Sequence, residues 1–206
     1  MKKILMTVAL MVVAVAASAQ IYVGGSFELS SNTPAHHKDD DVDAATTFSI
    51  MPEIGYNLDD KWTIGLGIGY EHGANQFVSP VVGSGRTWDA VNSFTIQPYV
   101  RYHFVKWNNV SLYVQGGIGY TTTKLTDDVD NGDGTTTSVD SKASTFYIAF
   151  TPGIKVDLTK KLFFVASVGS LGWSTTNPDV DDYEASSTVG LNIDLTRINF
   201  GMYYNF

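Results

Sequence analysis

The sequence predicts an all-β fold, an eight-stranded antiparallel up-and-down transmembrane β-barrel with short turns at one end and long loops at the other. Three observations point there. Large apolar residues recur at every second position over most of the chain, as in strands with two unlike faces. Polar turns of a few residues alternate with much longer polar connections. Charged residues make up 17% of the chain, against about a quarter in soluble domains, while aromatics reach 13% and glycines number 19. That composition suits a surface facing lipid.

The first 19 of the 206 residues read as a secretory signal peptide. Lys2 and Lys3 form a positive start, Ile4 to Ala17 are almost wholly apolar, and Ala17-Ser18-Ala19 offers a small-x-small cleavage site. The run is too short and wrongly flanked for a membrane anchor. Cleavage after Ala19 leaves residues 20–206 as the barrel domain; losing two lysines and no acids takes the formal charge from −8 to −10. The absence of cysteine excludes disulfides, a thiol nucleophile, a Cys-based zinc site and a lipid-modified N-terminal cysteine. No later stretch approaches the roughly 18 consecutive apolar residues of a spanning helix. A membrane crossing therefore requires a closed barrel, which satisfies its backbone hydrogen bonds without a helix.

Three nine-residue segments organise the chain: Ile50–Leu58, Ile96–Phe104 and Phe150–Leu158. Each alternates and carries proline in third place, Pro52, Pro98 and Pro152. Their spacings of 46 and 54 residues are too wide for a solenoid but suit repeated hairpin pairs. A polar turn follows each one, at 59–61, 106–109 and 159–161, and then another alternating strand, clearest in Trp62–Tyr70 and Val110–Tyr120. Long polar connections occupy roughly 32–45, 73–90, 123–143 and 174–185. Ile21–Leu29 at the front and Ile198–Phe206 at the back complete eight strands. Proline inside a strand implies an edge or bulge, so local widening of the pairing is expected at that level.

Alternation alone fits both a soluble barrel with an apolar interior and a membrane barrel with an apolar exterior. The polar face decides. It carries Thr63, Gly65, Gly67 and Gly69 on one strand and Ser111, Tyr113, Gln115, Gly117 and Gly119 on another. Glycine would weaken a solvated strand, whereas small residues suit the cramped lumen of eight strands. On the apolar face Tyr56, Trp62, Tyr70, Tyr102, Phe104, Tyr120 and Phe146 sit toward strand ends. That is the placement of an aromatic girdle at a membrane–water boundary.

The chain ends on Phe200-x-Met202-x-Tyr204-x-Phe206, an alternating strand closing on an aromatic residue. This resembles the assembly signal of outer-membrane barrels. Together with the signal peptide and the strand–turn–strand plan, the whole mature chain resembles the small OmpA/OmpX-type eight-stranded outer-membrane barrels. The resemblance implies short periplasmic turns, long extracellular loops and location in the outer membrane. A soluble peptidoglycan-binding domain of the OmpA type is not expected after the last strand.

The last strands change phase. Leu162, Phe164, Ala166 and Val168 are even-numbered, then Leu171 and Trp173 are odd; residues 189–195 place apolar side chains at odd numbers, and Ile198 onward at even ones. A one-residue slip exchanges the two faces. A matched pair of bulges, near Ser170 and near Thr196-Arg197, accounts for both changes and keeps eight strands. A true turn at Thr196-Arg197 would give nine.

Inward charges are the candidate functional residues. The repeat register puts Arg101 and Lys155 at one depth, Glu53 about one step above, and His103 and Asp157 one below. A charge in a tight lumen needs a partner, so Glu53 is expected to pair with Arg101 or Lys155 and help plug the barrel. Asp128-Val-Asp130-Asn-Gly132-Asp133-Gly134 superficially resembles a calcium loop but lacks the ligand at Gly132 and the distant bidentate Glu. The segment His36–Asp43 has no ligand spacing that fixes a geometry. Both read as solvated loops, and no metal or cofactor is expected. The histidines, 36, 37, 72 and 103, stand in no catalytic motif. The negative charge disfavours nucleic acid.

The expected function is non-enzymatic: a barrel with a plugged or narrow polar lumen that supports envelope integrity or presents its loops for surface contacts. Alternatives are a narrow channel for small solutes or ions and a lipid-active enzyme using His72 or His103. Expected partners are outer-membrane lipid and lipopolysaccharide, the insertion machinery during assembly, and an unnamed ligand of the loops, around a monomeric barrel.

Overall fold

A computed structural model describes residues 20–32, 45–77, 87–130, 136–179, 184–192 and 198–206. The signal-peptide region and the His36–Asp43 segment lie outside these residues. The strands are Ile21–Asn32 (β1), Ala45–Asn57 (β2), Trp62–Phe77 (β3), Thr87–Trp107 (β4), Val110–Asp130 (β5), Thr136–Asp157 (β6), Leu162–Val168 (β7), Ser170–Pro178 (β8), Ser186–Asn192 (β9) and Ile198–Asn205 (β10). Every pairing is antiparallel, and β1 pairs with β10 to close a ring. Strands β7 and β8 both run antiparallel to β6, so they are two parts of one barrel strand. Strands β9 and β10 run antiparallel to β8 and β7, so they too share one direction. The ring therefore has eight strands, and the chain runs the same way before and after Thr196. The bulge expected at Thr196-Arg197 itself lies outside the described residues.

The other phase change has a visible cause. Between the pairs Gly153–Ser167 and Phe150–Leu171, β6 advances three residues while its partner advances four. The extra residue falls at Gly169, whose φ of 66° favours glycine. This bulge, one residue before Ser170, turns the outward set from even numbers on β7 to odd on β8.

The three repeat prolines have a common effect. Pairing of β2 with β3 omits Met51 and Pro52, that of β4 with β5 omits Gln97 and Pro98, and that of β6 with β7 and β8 omits Thr151 and Pro152. On their other flanks Pro52, Pro98 and Pro152 remain in register with Gly25, Leu66 and Val114. Proline has no N–H to donate, so the ladder lapses on one side only. The lapse keeps register at the first two prolines and coincides with the Gly169 bulge at the third.

Outward positions carry exposed Ile54, Ile64, Ile68, Ile96, Val100 and Ile118, whereas Tyr22, Thr63, Tyr99, Arg101, Ser111, Tyr113, Phe163, Val165 and Tyr203 are buried. The apolar surface faces out. It runs over nine residues from Leu112 to Tyr120 on β5 and eleven from Val156 back to Phe146 on β6. That matches the roughly 9–11 residues a tilted strand needs to cross a bilayer. Above it the outward residues become Thr122 and Lys124 on β5, and Ser144 and Lys142 on β6.

Strands β5 and β6 have 21 and 22 residues, about 70 Å at ~3.3 Å per residue, far more than a crossing requires. The expected loop 123–143 is therefore mostly paired hairpin, in register from Thr123 opposite Ala143 to Asp130 opposite Thr136. The expected loop 73–90 is likewise strand up to Phe77 and from Thr87. Their outward residues are polar while Leu125 and Ala143 inside remain buried, so these extensions lack the apolar outer face of the belt. Lys124 lies 2.9 Å from Asp140 there, and hydrogen bonds from Lys124 and Thr126 hold the Asp140 carboxyl below the ordinary range.

Candidate functional site

The lumen is built on a cross-strand rule. Tyr22 stands opposite Gly55, Tyr99 opposite Gly65, Tyr113 opposite Gly153, Tyr147 opposite Gly119 and Tyr203 opposite Gly24. A β-carbon on any of these glycines would collide with the facing tyrosine ring. Glycine thus lets each ring lie flat across its neighbour and reach the barrel axis. Four of the tyrosines, 22, 99, 113 and 203, converge at one level with Phe163. The Phe163 ring stacks on Tyr203 at 5.1 Å, and Tyr22 meets both edge-on at 5.5 and 5.6 Å.

One ion pair crosses this aromatic layer. Arg101 on β4 is 3% exposed and Glu53 on β2 is 10% exposed, with Nη2 3.6 Å from Oε2. The guanidinium donates from Nε and Nη2 to Gln115 Oε1 at 3.1 and 2.7 Å. It also lies 4.8, 5.0 and 5.8 Å from the ring centroids of Tyr113, Tyr99 and Tyr203. Glu53 accepts from the Tyr99 hydroxyl at 2.7 Å on Oε2 and from Tyr203 at 2.8 Å on Oε1, and Tyr22 Oη is 2.6 Å from Tyr99 Oη. Both carboxylate oxygens are engaged, as a buried charge requires.

The other predicted lumen residues form a separate group. Lys155 Nζ lies 3.1 Å from Asp157 Oδ1, not against Glu53, and 4.5 Å from the Phe163 ring centroid. The His103 ring is 5.6 Å from that of Tyr113. These residues line a polar cavity of about 280 Å³ at the short-turn end, with Asn57, Thr63 and Ser111. A second polar cavity of about 280 Å³ lies on the opposite side of the ion pair, bounded by Glu53, Arg101, Gln97, Thr151 and Asn199.

The predicted girdle residues lie on the outer wall in two groups. Tyr56, Trp62, Tyr102 and Phe104 are at the short-turn end, where the Trp62 and Tyr102 rings are 4.5 Å apart; Tyr70, Tyr120 and Phe146 are at the other. Of the terminal residues, Phe200 stacks on Phe164 at 5.5 Å, Tyr204 meets Phe206 at 5.4 Å, and Met202 is exposed. His72 is exposed on β3, with Nδ1 2.9 Å from Asn92 Oδ1, which also accepts from the Tyr70 hydroxyl. Asp128 and Asp130 belong to strand β5, and residues 131–134 of the calcium-like segment lie outside the described residues. Among the described residues no three His, Asp or Glu side chains group as metal ligands.

Sequence reasoning missed the tyrosines of the aromatic layer and Gln115 as the second anchor of Arg101. Their signal was present: each tyrosine is on the inward parity, and cross-strand register sets it against a glycine.

A family model described as "Outer membrane protein beta-barrel domain" matches residues 4–206. A search of curated proteins finds no match. Among solved structures, the chain is similar to Neisserial surface protein A at 12% identity and a TM-score of 0.49, covering 92% of this chain and 98% of that one. It is similar to the N-terminal β-barrel domain of Pseudomonas aeruginosa OprF at 15% identity and a TM-score of 0.46, covering 91% and 98%. Pseudomonas aeruginosa OprG gives 14% identity and a TM-score of 0.42, covering 91% and 95%. With its family model spanning nearly the whole sequence, the chain belongs to the outer membrane β-barrel domain family and is a protein of the outer membrane.

Proposed function

We propose that this protein is a non-enzymatic outer-membrane barrel whose lumen is plugged, and that it supports envelope integrity or presents its long hairpins for surface contacts. The observation that carries the reading is Arg101, 3% exposed and held by Glu53, Gln115 and three tyrosine rings between two polar cavities. A hydrated ion would have to break that layer to pass. His72 pairs with Asn92, eleven residues from His103 along β4, roughly 36 Å, and the two histidines are on opposite faces of the wall, which does not favour a shared catalytic centre. The girdle residues anchor the barrel in lipid and lipopolysaccharide, and Phe200, Met202, Tyr204 and Phe206 form the strand the insertion machinery reads; the barrel works as a monomer without a cofactor.

Conductance in planar bilayers tests the plug. The native protein is expected to be silent and Arg101→Ala to show steady conductance. The cavities on both sides of the plug favour one competing reading, a narrow channel. Steady conductance by the native barrel, comparable with that of Arg101→Ala, would establish the channel and remove the plug.

A further inference from the structure

The three repeat prolines do more than interrupt the ladder. The residue before each of them, Met51, Gln97 or Thr151, turns inward, and all three line the cavity above the ion pair. The repeat thus sets three unlike side chains around one chamber. Glycines make the room. A β-carbon on Gly67 or Gly69 would crowd Met51 at 3.3 or 3.1 Å, and one on Gly117 would come within 2.8 Å of Gln97 Nε2. The wall is continuous at this level. Ser26 is opposite Met51 on one flank and Gly201 on the other, and Asn199 is opposite Ser167.

The floor of the chamber is the ion pair itself, with Gln115 and the rings of Tyr113 and Tyr203. The cavity at the short-turn end shares none of these wall residues, so the chamber ends blind there. One charge of each sign lies in the floor, already facing the other at 3.6 Å. A charged ligand would meet one of them as a like charge and compete with the other, so the floor disfavours both signs. Higher up, the inward wall continues in cross-strand hydroxyl pairs: Ser93 with Thr123 at 3.0 Å, Thr95 with Thr121 at 2.8 Å and Thr145 with Thr176 at 2.9 Å. Glu28 and Glu71, on the inward parity of β1 and β3, share one cross-strand row through Ser49 and add a negative potential that repels anions.

The remaining polar groups of the chamber are neutral. The amides of Gln97 and Asn199 and the hydroxyls of Ser26, Thr151 and Ser170 can each donate and accept hydrogen bonds. Met51, Val165 and the Tyr203 ring put apolar patches between them. The volume, about 280 Å³, equals about nine waters at ~30 Å³ each, room for one sugar ring. Such a molecule carries no charge, donates and accepts around its whole edge, and has apolar C–H faces. We infer that the chamber binds a small uncharged polyol of single-sugar size, held by Gln97, Thr151 and Asn199 over the Arg101–Glu53 pair. The inference rests on the plug, which gives the chamber its floor.

The test titrates the full barrel in lipid nanodiscs with glucose and follows the side-chain amides of Gln97, Gln115 and Asn199 by NMR. Saturable shifts of all three are expected in the millimolar range, with the Asn57 amide of the lower cavity unmoved. Glucuronate and glucosamine, of similar size but opposite charge, are expected to bind at least about tenfold more weakly. Gln97→Leu keeps most of the side-chain volume and removes a donor and an acceptor. It is expected to weaken glucose binding about tenfold while keeping the native gel mobility. Should that variant fail to fold, the three sugars on the native chain decide alone. Shifts that stay linear across the titration, or equal binding of all three sugars, overturn the site and leave the plug standing. Saturable shifts of Asn57 as well would carry the sugar past the ion pair, which ends the plug and removes the floor of the site.

Discussion

Replacing Glu53 with Gln tests how the lumen holds its charge. The variant keeps the side-chain shape and an oxygen for a tyrosine hydroxyl, but leaves Arg101 without the carboxylate 3.6 Å away. Stranding a buried charge costs about 3–5 kcal/mol when nothing else compensates it. Here the two bonds to Gln115 and the rings at 4.8–5.8 Å remain, each close cation–ring contact contributing about 0.5–2 kcal/mol. The expected loss is therefore about 2–4 kcal/mol. Arg101→Met should cost a similar amount by stranding Glu53 between two hydroxyls, and the double variant should cost less than the sum by about 2 kcal/mol. Urea unfolding in lipid vesicles, followed by tryptophan fluorescence and by gel mobility before and after heating, measures all three. Strictly additive costs, with a coupling below about 0.5 kcal/mol, would refute a mutually dependent pair.

Gly65→Ala should destabilise the barrel by about 1–3 kcal/mol, because its methyl group forces the Tyr99 ring from its seat. In a Tyr99→Ala background the same change should cost under about 0.5 kcal/mol, and an unchanged cost in urea unfolding would dismiss the tyrosine–glycine fit. Val100→Arg, outward near the middle of the belt, should cost about 2–4 kcal/mol, against about 0–1 for Thr122→Arg just above the girdle on β5. Equal costs at the two positions would contradict the assigned depth.

Much of the fold could be read from alternation because the bilayer imposes it. Where lipid lies on one side and a crowded lumen on the other, as from Phe94 to Phe104, every second residue must change character. The phase break between Val168 and Leu171 was readable for the same reason, although its cause, the left-handed backbone at Gly169, was not. Alternation stops informing once the outward face leaves the lipid and turns polar, as at Thr122, Lys124, Lys142 and Ser144. Residues 123–130 and 136–143 therefore looked like loop, although cross-strand hydrogen bonding makes them hairpin. The ion pair was half legible: Glu53 and Arg101 share parity and nearly share depth, but Lys155 was an equal partner until Asp157, two residues along the same strand, took it. The tyrosine layer escaped notice because its members come from four strands. Each is an ordinary inward aromatic until register sets it against a glycine.

The account rests on which face meets lipid, and a nitroxide scan along β4 measures that directly. The native chain has no cysteine to remove, so single cysteines at positions 94 to 102 can be labelled in turn in lipid vesicles. Collision with oxygen, which concentrates in the bilayer, should peak at Phe94, Ile96, Pro98, Val100 and Tyr102. A water-soluble nickel complex should not share those maxima. The opposite phase, with oxygen favouring Thr95, Gln97, Tyr99 and Arg101, would place the apolar face inside and contradict the membrane assignment.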